Sequence, residues 1–293
     1  MKKIDCSLEY IAARDLLIGG IPLTRGDSLP ADSPIRKIPH RLEAFCKRGH
    51  LIARSEPESL EGLSVPPNNV SIVTMSYYCD IFERLRISLD LHEPSARKIV
   101  VTSGEMNGVE LDGWTMVKGP SPFQFSKAAN IGIAEAERDD VLLVNDDCEF
   151  TMPMTGLLQS LCSKDSRIGV LSPQIIGSVG NPIQGPRMPL QSAVTFCSQR
   201  VCFVCIYIPR RIIDSVGLLD ERFTGYGADD TDYCRRVQVK GSRLAVTPLV
   251  KVNHGGFGTG KLNCSSSYLR QMTLEEYRSS NQEMRRLLAE KWA

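Results

Sequence analysis

The sequence has no long apolar run. No stretch of the 293 residues approaches the roughly 18 consecutive apolar residues that a membrane-spanning helix needs. The start, Met-Lys-Lys-Ile-Asp-Cys, lacks the apolar core of a signal peptide. With 42% apolar and 24% charged residues, the composition is that of a soluble globular protein. We therefore expect a soluble, cytoplasmic protein.

The sequence also lacks an excess of either charge. Thirty-five Lys and Arg residues against 34 Asp and Glu residues give a net charge of +1, so the field of the whole molecule would not recruit a polyanion. A nucleic-acid partner would need a local basic patch. The candidates are Arg36, Lys37, Arg41, Lys47, Arg48 and Arg54. No aromatic residues interleave regularly with them to stack on bases, which favours a solvated helix surface.

Cysteine patterns typical of a disulfide framework or a metal site are missing. The ten cysteines are scattered from Cys6 to Cys264, several of them inside apolar runs, which indicates a reducing compartment. Cys202 and Cys205 form a C-x-x-C within the strand-like segment Val201–Ile208, with no second Cys or His pair nearby. A zinc or redox site needs a turn and partner ligands, so we expect neither here.

Two regions of the chain differ in their pattern. In residues 1–60, the pair Gly19-Gly20 separates two apolar runs, which predicts a β-hairpin. A helix over residues 39–47 and a strand over residues 50–53 complete a small β-rich module. Residues 56–69 contain three prolines and predict a linker, which we place at residues 61–69.

Strands and helices alternate in residues 70–293. The predicted strands are 70–75, 98–102, 114–117, 141–144 and 245–252, and the predicted helices are 80–89, 125–137 and 274–292. This alternation predicts an α/β domain with a mostly parallel sheet. Ligands of such sheets bind beyond the carboxyl ends of the strands, so the polar residues at those ends are the candidate site residues.

A first acidic cluster, Asn145-Asp146-Asp147, directly follows the strand Val141–Val144. Adjacent carboxylates that leave a buried strand repel each other unless a cation lies between them. Mg²⁺ and Mn²⁺ prefer hard oxygen ligands and are commonly held by one or two carboxylates together with diphosphate oxygens. Taken alone, the cluster is equally well interpreted as a turn that only caps the next element.

A second acidic cluster lies in the segment Val216–Arg236, which contains five acids and three arginines. The predicted strand Ala245–Val252 then leads to Asn253-His254-Gly255-Gly256. Glycines beside a histidine permit the close approach of a phosphate. The alternative for His254 is a buried ring that is satisfied by a backbone carbonyl.

In this order the motifs resemble those of the family-2 glycosyltransferases, which have the GT-A fold, a Rossmann-like arrangement that binds nucleotide-diphospho-sugars. The matching segments are Val70–Tyr77, Ala129–Gly132, Val144–Asp147, Val216–Arg236 and Val252–Thr259, and the resemblance covers about residues 68–292. It implies a GT-A domain at residues 70–293 that moves a sugar, with inversion, from a nucleoside-diphosphate sugar to an acceptor hydroxyl. The implied donor is a UDP-sugar, and the implied metal is Mn²⁺ or Mg²⁺.

The resemblance also implies a role for individual residues. Asp230 matches the general base, and Asp229 stands where the family usually has Glu. Asp147 and His254 match the metal ligands. Asp232 and Arg236 are expected to anchor the helix that presents Asp230, and the residues expected to contact the donor are Thr74, Ser76, Tyr77, Ser103, Glu105, Asn130 and Asp146.

One departure from the family concerns the nucleotide base. The second strand usually ends in an Asp that contacts the base, whereas this chain offers Thr102, Ser103 and Glu105 there. The resemblance therefore leaves recognition of uridine open, with Ser103 or Glu105 as the replacement contact.

The acceptor and the competing classes rest on weaker signals. The N-terminal module loosely resembles small β modules of phage-encoded proteins, which suggests a phage origin, the host cytoplasm as location, and hydroxymethylated pyrimidine in phage DNA, a virion protein or a glycan as acceptor. A different class is a noncatalytic sugar- or nucleic-acid-binding protein on a decayed transferase fold. A nucleotidyltransferase is disfavoured because no Gly-rich, Lys/Arg-containing triphosphate loop follows Val70–Thr74.

Overall fold

The structure is a computed structural model that describes residues 69–177, 179–186, 192–255 and 271–293, together with the backbone of four short strands before residue 55. The chain divides into two compact units, one comprising Met1–Leu60 with Arg187–Ala193, the other Glu61–Pro186 with Val194–Ala293. The assignment of residues 1–60 as an accessory module, 61–69 as a linker and 70–293 as the transferase domain stays a prediction.

The first unit contains two small antiparallel sheets. Strand β1 (Glu9–Ala12) pairs with β4 (Leu51–Arg54), and β2 (Leu16–Ile18) pairs with β3 (Ile21–Leu23). The β2–β3 pair confirms the predicted hairpin, and β4 confirms the predicted strand near residue 51. The predicted helix over residues 39–47 and the side chains of the six basic residues lie outside the described part.

The second unit is built on a nine-stranded mixed sheet in the order β11-β13-β10-β12-β8-β5-β6-β7, with β9 paired to β13. The strands are β5 (Val70–Ser76), β6 (Arg97–Thr102), β7 (Trp114–Lys118), β8 (Asp140–Asn145), β9 (Cys148–Phe150), β10 (Ile168–Gly177), β11 (Thr195–Cys197), β12 (Cys205–Ile208) and β13 (Arg243–His254). Only β9, β11 and β12 run against the other six. The predicted α/β fold with a mostly parallel sheet is therefore confirmed.

Six helices accompany the sheet in the described residues: α1 (Cys79–His92), α2 (Phe125–Glu135), α3 (Thr155–Lys164), α4 (Arg210–Val216), α5 (Asp229–Val239) and α6 (Leu274–Lys291). The central strand β5 is buried along its whole length, as expected for a parallel strand whose two faces are covered. Helix α2 approaches it closely at Gly132, where an added Cβ would lie 2.3 Å from Val73 Cγ1. None of the described helices has the length and apolarity that crossing a membrane requires.

The segment expected to form a strand over Val201–Ile208 is a strand only from Cys205 onward. The Cys202 backbone is bound instead to the side chain of Gln184, whose Oε1 accepts from the Cys202 N–H at 2.6 Å and whose Nε2 donates to the Cys202 carbonyl at 3.0 Å. This side chain takes both hydrogen bonds that a neighbouring strand would otherwise provide. Directly before Cys205, the Val204 carbonyl accepts from the Asn145 N–H at the end of β8 at 2.9 Å.

Candidate active site

A cavity of about 640 Å³ opens beyond the carboxyl ends of β8 and β13. Its lining includes three segments that are distant in the sequence: the turn after β8, the segment that leads into α5, and the end of β13. Helix α6 adds a further wall. Among the residues that line this cavity are Asp146, Asp147, Asp229, Asp230 and His254, so five of the predicted site residues lie around one space.

Asp147 and His254 are brought together by strand pairing. Strand β9 runs antiparallel to β13, with Cys148 opposite His254, and the Gly255 N–H donates to the Asp147 carbonyl at 3.1 Å. The His254 Nε2 atom lies 3.3 Å from the Asp147 Oδ1 atom. The Asp147 residue is only 8% exposed. The pair is therefore fixed by the backbone on both sides.

A glycine permits the neighbouring strand to reach His254. Gly177, the last residue of β10, is opposite His254 in the parallel β10–β13 pair. It has a φ of +119°, and an added Cβ would lie 2.2 Å from the His254 carbonyl oxygen. Only glycine fits such a conformation and such an approach. Gly177 thus allows the backbone beneath the histidine to pack closely.

Asp146 is oriented by a hydrogen bond from a side chain of strand β5. Its Oδ2 atom accepts a hydrogen bond from Ser76 Oγ at 2.8 Å, and the residue is 3% exposed. Ser76 and Thr74 are fully buried in β5, and neither lines the cavity. Ser76, predicted to contact the donor, is therefore placed where it contacts Asp146.

Asp229 and Asp230 begin helix α5. Gly227 and Ala228, with φ values of +93° and +72°, turn the chain into the helix. Asp230 Oδ1 lies 3.3 Å from Arg200 Nη1 and accepts from Thr231 Oγ1 at 3.1 Å. The Asp230 side chain retains 13% exposure and faces the cavity.

Burial raises the pKa of both carboxyls above their usual range. For Asp229, the neighbouring Asp230 charge raises the pKa further. For Asp230, the Arg200 guanidinium opposes the rise in pKa. A carboxylate with a raised pKa is a stronger proton acceptor than one in water.

Asp232 and Arg236 lie behind the cavity rather than in it. Asp232 is fully buried, and its Oδ2 atom accepts from Arg236 Nε at 2.9 Å. Its Oδ1 atom accepts from Trp292 Nε1 at 2.9 Å and pairs with Lys291 Nζ at 2.7 Å. These contacts tie the first turn of α5 to the end of α6.

Four other residues predicted to contact the donor do not line the cavity. The Tyr77 ring packs against Gly104, where an added Cβ would lie 2.2 Å from the ring. Ser103 Oγ donates to the Pro120 carbonyl at 3.2 Å, and Glu105 is exposed. These three residues lie around the ends of β5 and β6.

Asn130 has a different set of partners. Its side-chain amide donates to the Leu219 carbonyl at 2.9 Å and to Glu221 Oε1 at 3.0 Å, and its oxygen accepts from the Leu219 N–H at 2.9 Å. These bonds occupy the carboxamide with the segment that precedes α5. Asn130 therefore supports that segment from within the protein.

Several lining residues were not predicted from the sequence. They are Phe123, Phe125, Arg200, Tyr226, Tyr277, Asn281 and Arg285. Arg200 lies in the loop between β11 and β12, where no motif marks it, and the Asn181 side-chain amide donates to its carbonyl. Tyr226 lies within the matched segment Val216–Arg236, so that motif was the signal that could have identified it.

The oxygen and nitrogen atoms around Asp147 suit a hard cation whose remaining ligands would come from the substrate. In the described ranges, no group of three or more His, Cys, Asp or Glu side chains is arranged to hold a metal ion by itself. Mg²⁺ and Mn²⁺ do not require such a cage, because they are commonly bound by one or two carboxylates plus phosphate oxygens. Asp147 and His254, whose Oδ1 and Nε2 atoms lie 3.3 Å apart, provide that kind of incomplete set.

No family model matches the chain. It is 28% identical over 191 residues to the uncharacterized protein y4gI of Sinorhizobium fredii (strain NBRC 101917 / NGR234), a match that covers 53% of this chain and 21% of that protein. The chain therefore spans about a fifth of the length of this curated relative.

Solved structures share the fold. The crystal structure of GalNAc-T7 with UDP, GalNAc and Mn²⁺ matches 79% of this chain and 49% of that chain, with a TM-score of 0.55 and 15% identity. The mannosyltransferase PcManGT from Pyrobaculum calidifontis, in complex with GDP-Man and Mn²⁺, matches 85% of this chain and 81% of that chain, with a TM-score of 0.50 and 14% identity. The chain has the fold of GT-A glycosyltransferases, as predicted.

Proposed function

We propose that this protein is a glycosyltransferase that moves a sugar from a nucleoside-diphosphate sugar to an acceptor hydroxyl, with inversion at the anomeric carbon. One observation carries the proposal. The pair Asp147 and His254 and the carboxylate of Asp230 line the same cavity, although they come from three separate segments. Sugar transfer needs a group that neutralises the charge of the leaving diphosphate and a base that takes the proton of the acceptor hydroxyl. Both must be close to the same anomeric carbon.

The leaving group is the diphosphate of the donor. Asp147 and His254 would hold Mn²⁺ or Mg²⁺ with Asp146 beside them, and the cation would supply positive charge next to the leaving diphosphate. The Ser76 hydroxyl keeps Asp146 oriented. Because both aspartates are almost fully buried, water screens their charges little and their interaction with a cation is strong.

The nucleophile is the acceptor hydroxyl. Its oxygen attacks the anomeric carbon, the bond from that carbon to the diphosphate oxygen breaks, and the proton passes to Asp230. Burial raises the pKa of Asp230 and so strengthens it as a proton acceptor, while the Arg200 guanidinium opposes that rise in pKa. Asp229 beside it would orient the base or hold the acceptor.

The nucleotide base has two candidate sets of contacts. Phe123 and Phe125 line the cavity and offer rings against which a base could pack. Tyr77, Ser103 and Glu105 remain the predicted polar contacts at the ends of β5 and β6. UDP is the first donor nucleotide to test, and GDP is the second because the mannosyltransferase structure contains GDP-Man.

A thermal-shift screen tests the donor site. We expect UDP-glucose, UDP-N-acetylglucosamine or GDP-mannose to raise the melting temperature when Mn²⁺ is present, since a ligand at a hundred times its Kd adds about 2.7 kcal/mol to the free energy of unfolding. The increase should disappear with excess EDTA. An increase that EDTA leaves unchanged would speak against the metal, and no increase with any nucleotide sugar would refute the donor site.

Mass spectrometry then separates the enzyme from the competing class. Release of nucleoside diphosphate or transfer of the sugar identifies a transferase. Donor binding without either product would favour the noncatalytic sugar-binding alternative. The acceptors predicted from the sequence, phage DNA, a virion protein or a glycan, stay predictions, as do phage origin and membership of family 2.

Replacing Arg200 with Gln is expected to move the acid limb of the kcat/KM profile to higher pH. Arg200 lowers the pKa of Asp230 from what burial alone would set, so its loss raises that pKa and protonates the base at a higher pH. Arg167→Gln is the control. Arg167 is exposed, pairs with Asp165 and lies just before the first residue of β10, whereas the cavity lies beyond the carboxyl ends of the strands. A profile that moves equally in both variants would exclude this role for Arg200.

A further inference from the structure

We infer that helix α6 forms an acceptor subsite for a sugar that carries an anionic group, a phosphate or a carboxylate, with Arg285 binding the anion. This inference rests on the proposed function, because it names the chemistry of the molecule that would present its hydroxyl to Asp230. The subsite is a wall of the cavity to which the proposed function assigns neither the donor nor the metal.

One face of α6 lines the cavity. The lining residues are Tyr277, Asn281, Arg285 and Leu288, which are spaced by four, four and three residues and therefore lie along the same stripe of the helix. Residues of the adjoining stripe, Met284 and partly buried Leu287, pack against Phe223 and Ala228. The helix is thus anchored by its apolar residues, while Tyr277, Asn281 and Arg285 border the cavity.

The same helix is hydrogen-bonded to the loop that leads to the proposed catalytic base, Asp230. Ser280 Oγ accepts from the Tyr226 N–H at 2.7 Å, and Asn281 Nδ2 donates to the Tyr226 carbonyl at 3.3 Å. An added Cβ on Gly225 would lie 2.2 Å from Ser280 Oγ, which shows how closely the loop and the helix approach. A molecule bound against α6 is consequently held beside the segment that carries Asp229 and Asp230.

Two aromatic rings provide a surface for a sugar. Tyr226 and Tyr277 both line the cavity, with ring centroids 4.8 Å apart and an interplanar angle of 56°. Aromatic rings combine a large apolar face with a polar tip, which suits the C–H face and the hydroxyls of a pyranose. Pockets of this kind bind by apolar contact and obtain specificity from a few polar groups.

Arg285 supplies a charge that the proposed reaction does not use. It is exposed at the cavity and forms no ion pair with any carboxylate in the described part of the chain. The neighbouring Arg286, by contrast, pairs with Glu290 at 3.3 Å, and Arg200, the other arginine of the cavity, pairs with Asp230. A guanidinium binds phosphate and carboxylate through two parallel hydrogen bonds.

The anion is assigned to the acceptor rather than to the donor because Arg285 lies on helix α6. The proposed diphosphate site is formed by the ends of β8 and β13, whereas α6 is bonded to the loop before α5. The acceptor must contact Asp230 to lose its proton. Arg285 belongs to the helix that is bonded to the loop before the base, so we assign the anion that it binds to the acceptor.

Binding of simple probes tests this subsite. Four anionic sugars are titrated into the 293-residue chain with Mn²⁺ and UDP, and binding is followed by calorimetry. They are the 6-phosphates of glucose, galactose and mannose, and glucuronic acid, and the neutral controls are glucose, galactose and mannose. We expect at least one anionic sugar to bind about tenfold or more tightly than the neutral sugar of the same configuration, since hydrogen bonds to charged groups are the stronger ones. Arg285→Gln should abolish that preference, and Arg286→Gln should retain it.

A separate titration of Mn²⁺-UDP into the wild type and Arg285→Gln distinguishes this inference from the proposed function. Unchanged UDP affinity in Arg285→Gln, together with a lost preference for the anionic sugar, supports the acceptor subsite. Weaker UDP binding in Arg285→Gln would make Arg285 a donor contact and overturn the inference. Equal binding of anionic and neutral sugars, or binding of neither, would also overturn it, whereas failure of the wild type to bind Mn²⁺-UDP would count against the donor site itself.

Discussion

Replacing Asp230 with Asn is expected to lower kcat for sugar transfer by about three orders of magnitude, which is within the usual range for loss of a general base. The donor Kd is expected to change by less than about twofold. An acceptor hydroxyl has a very high pKa, so its attack requires a proton acceptor in the transition state. Asn keeps the shape of the side chain but cannot accept the proton. The donor Kd changes little because the proposed diphosphate contacts belong to Asp147 and His254.

The measurement is single-turnover transfer alongside Mn²⁺-dependent donor titration. Asp214→Asn is a matched control, because Asp214 is an exposed carboxylate on α4 that pairs only with Arg210 among the described residues. It removes the same charge away from the cavity. Transfer at the wild-type rate by Asp230→Asn would eliminate Asp230 as the base, and an equal loss in the Asp214 variant would point to a general effect of charge.

The convergence of Asp147, Asp230 and His254 could be predicted because it follows from topology. Two of the three residues lie at or just beyond the carboxyl end of a strand, and parallel strands bring those ends to one edge of the sheet. The motif order then identified Asp230 at the start of a helix. The resemblance of the motif order to a known family, together with one rule of sheet architecture, therefore brought together residues that are about a hundred positions apart.

The individual polar contacts could not be predicted in the same way. Ser76 and Asn130 were both expected to contact the donor, yet Ser76 binds Asp146 and Asn130 binds the backbone of Leu219. A sequence shows that a polar side chain follows or faces a strand, but not whether a buried partner already takes its hydrogen bonds. Almost every buried polar group must find such a partner, and the partners here lie 70 and 89 positions away.

The residues that line the cavity from loops and from the last helix could not be predicted from the sequence either. The periodicity of residues 274–292 predicted an amphipathic packing helix, and α6 does pack through Met284. Periodicity does not tell which polar stripe borders a cavity. Arg200 was missed for a related reason, because its position depends on Gln184 and Asn181 holding the segment before β12.

Replacing Asp147 with Asn is expected to weaken Mn²⁺-dependent donor binding by about a hundredfold or more, since changes even behind a metal ligand cost ten- to a hundredfold. Asn retains one oxygen and nearly the same volume, so the variant tests the negative charge and not the packing. The charge matters because the cation must be held by few protein ligands and must still bind the diphosphate.

The measurement is a Mn²⁺ titration in saturating UDP, followed by electron paramagnetic resonance of the free ion. Glu149→Gln is the matched control, because Glu149 lies two residues further along, does not line the cavity and contacts Asn253. A Mn²⁺ affinity that falls in Asp147→Asn and persists in Glu149→Gln would assign the ion to the Asp147–His254 pair. Equal affinity in both variants and the wild type would mean that Asp147 and His254 contact each other for structural reasons alone, and the charge of the leaving diphosphate would then have to be neutralised elsewhere in the cavity.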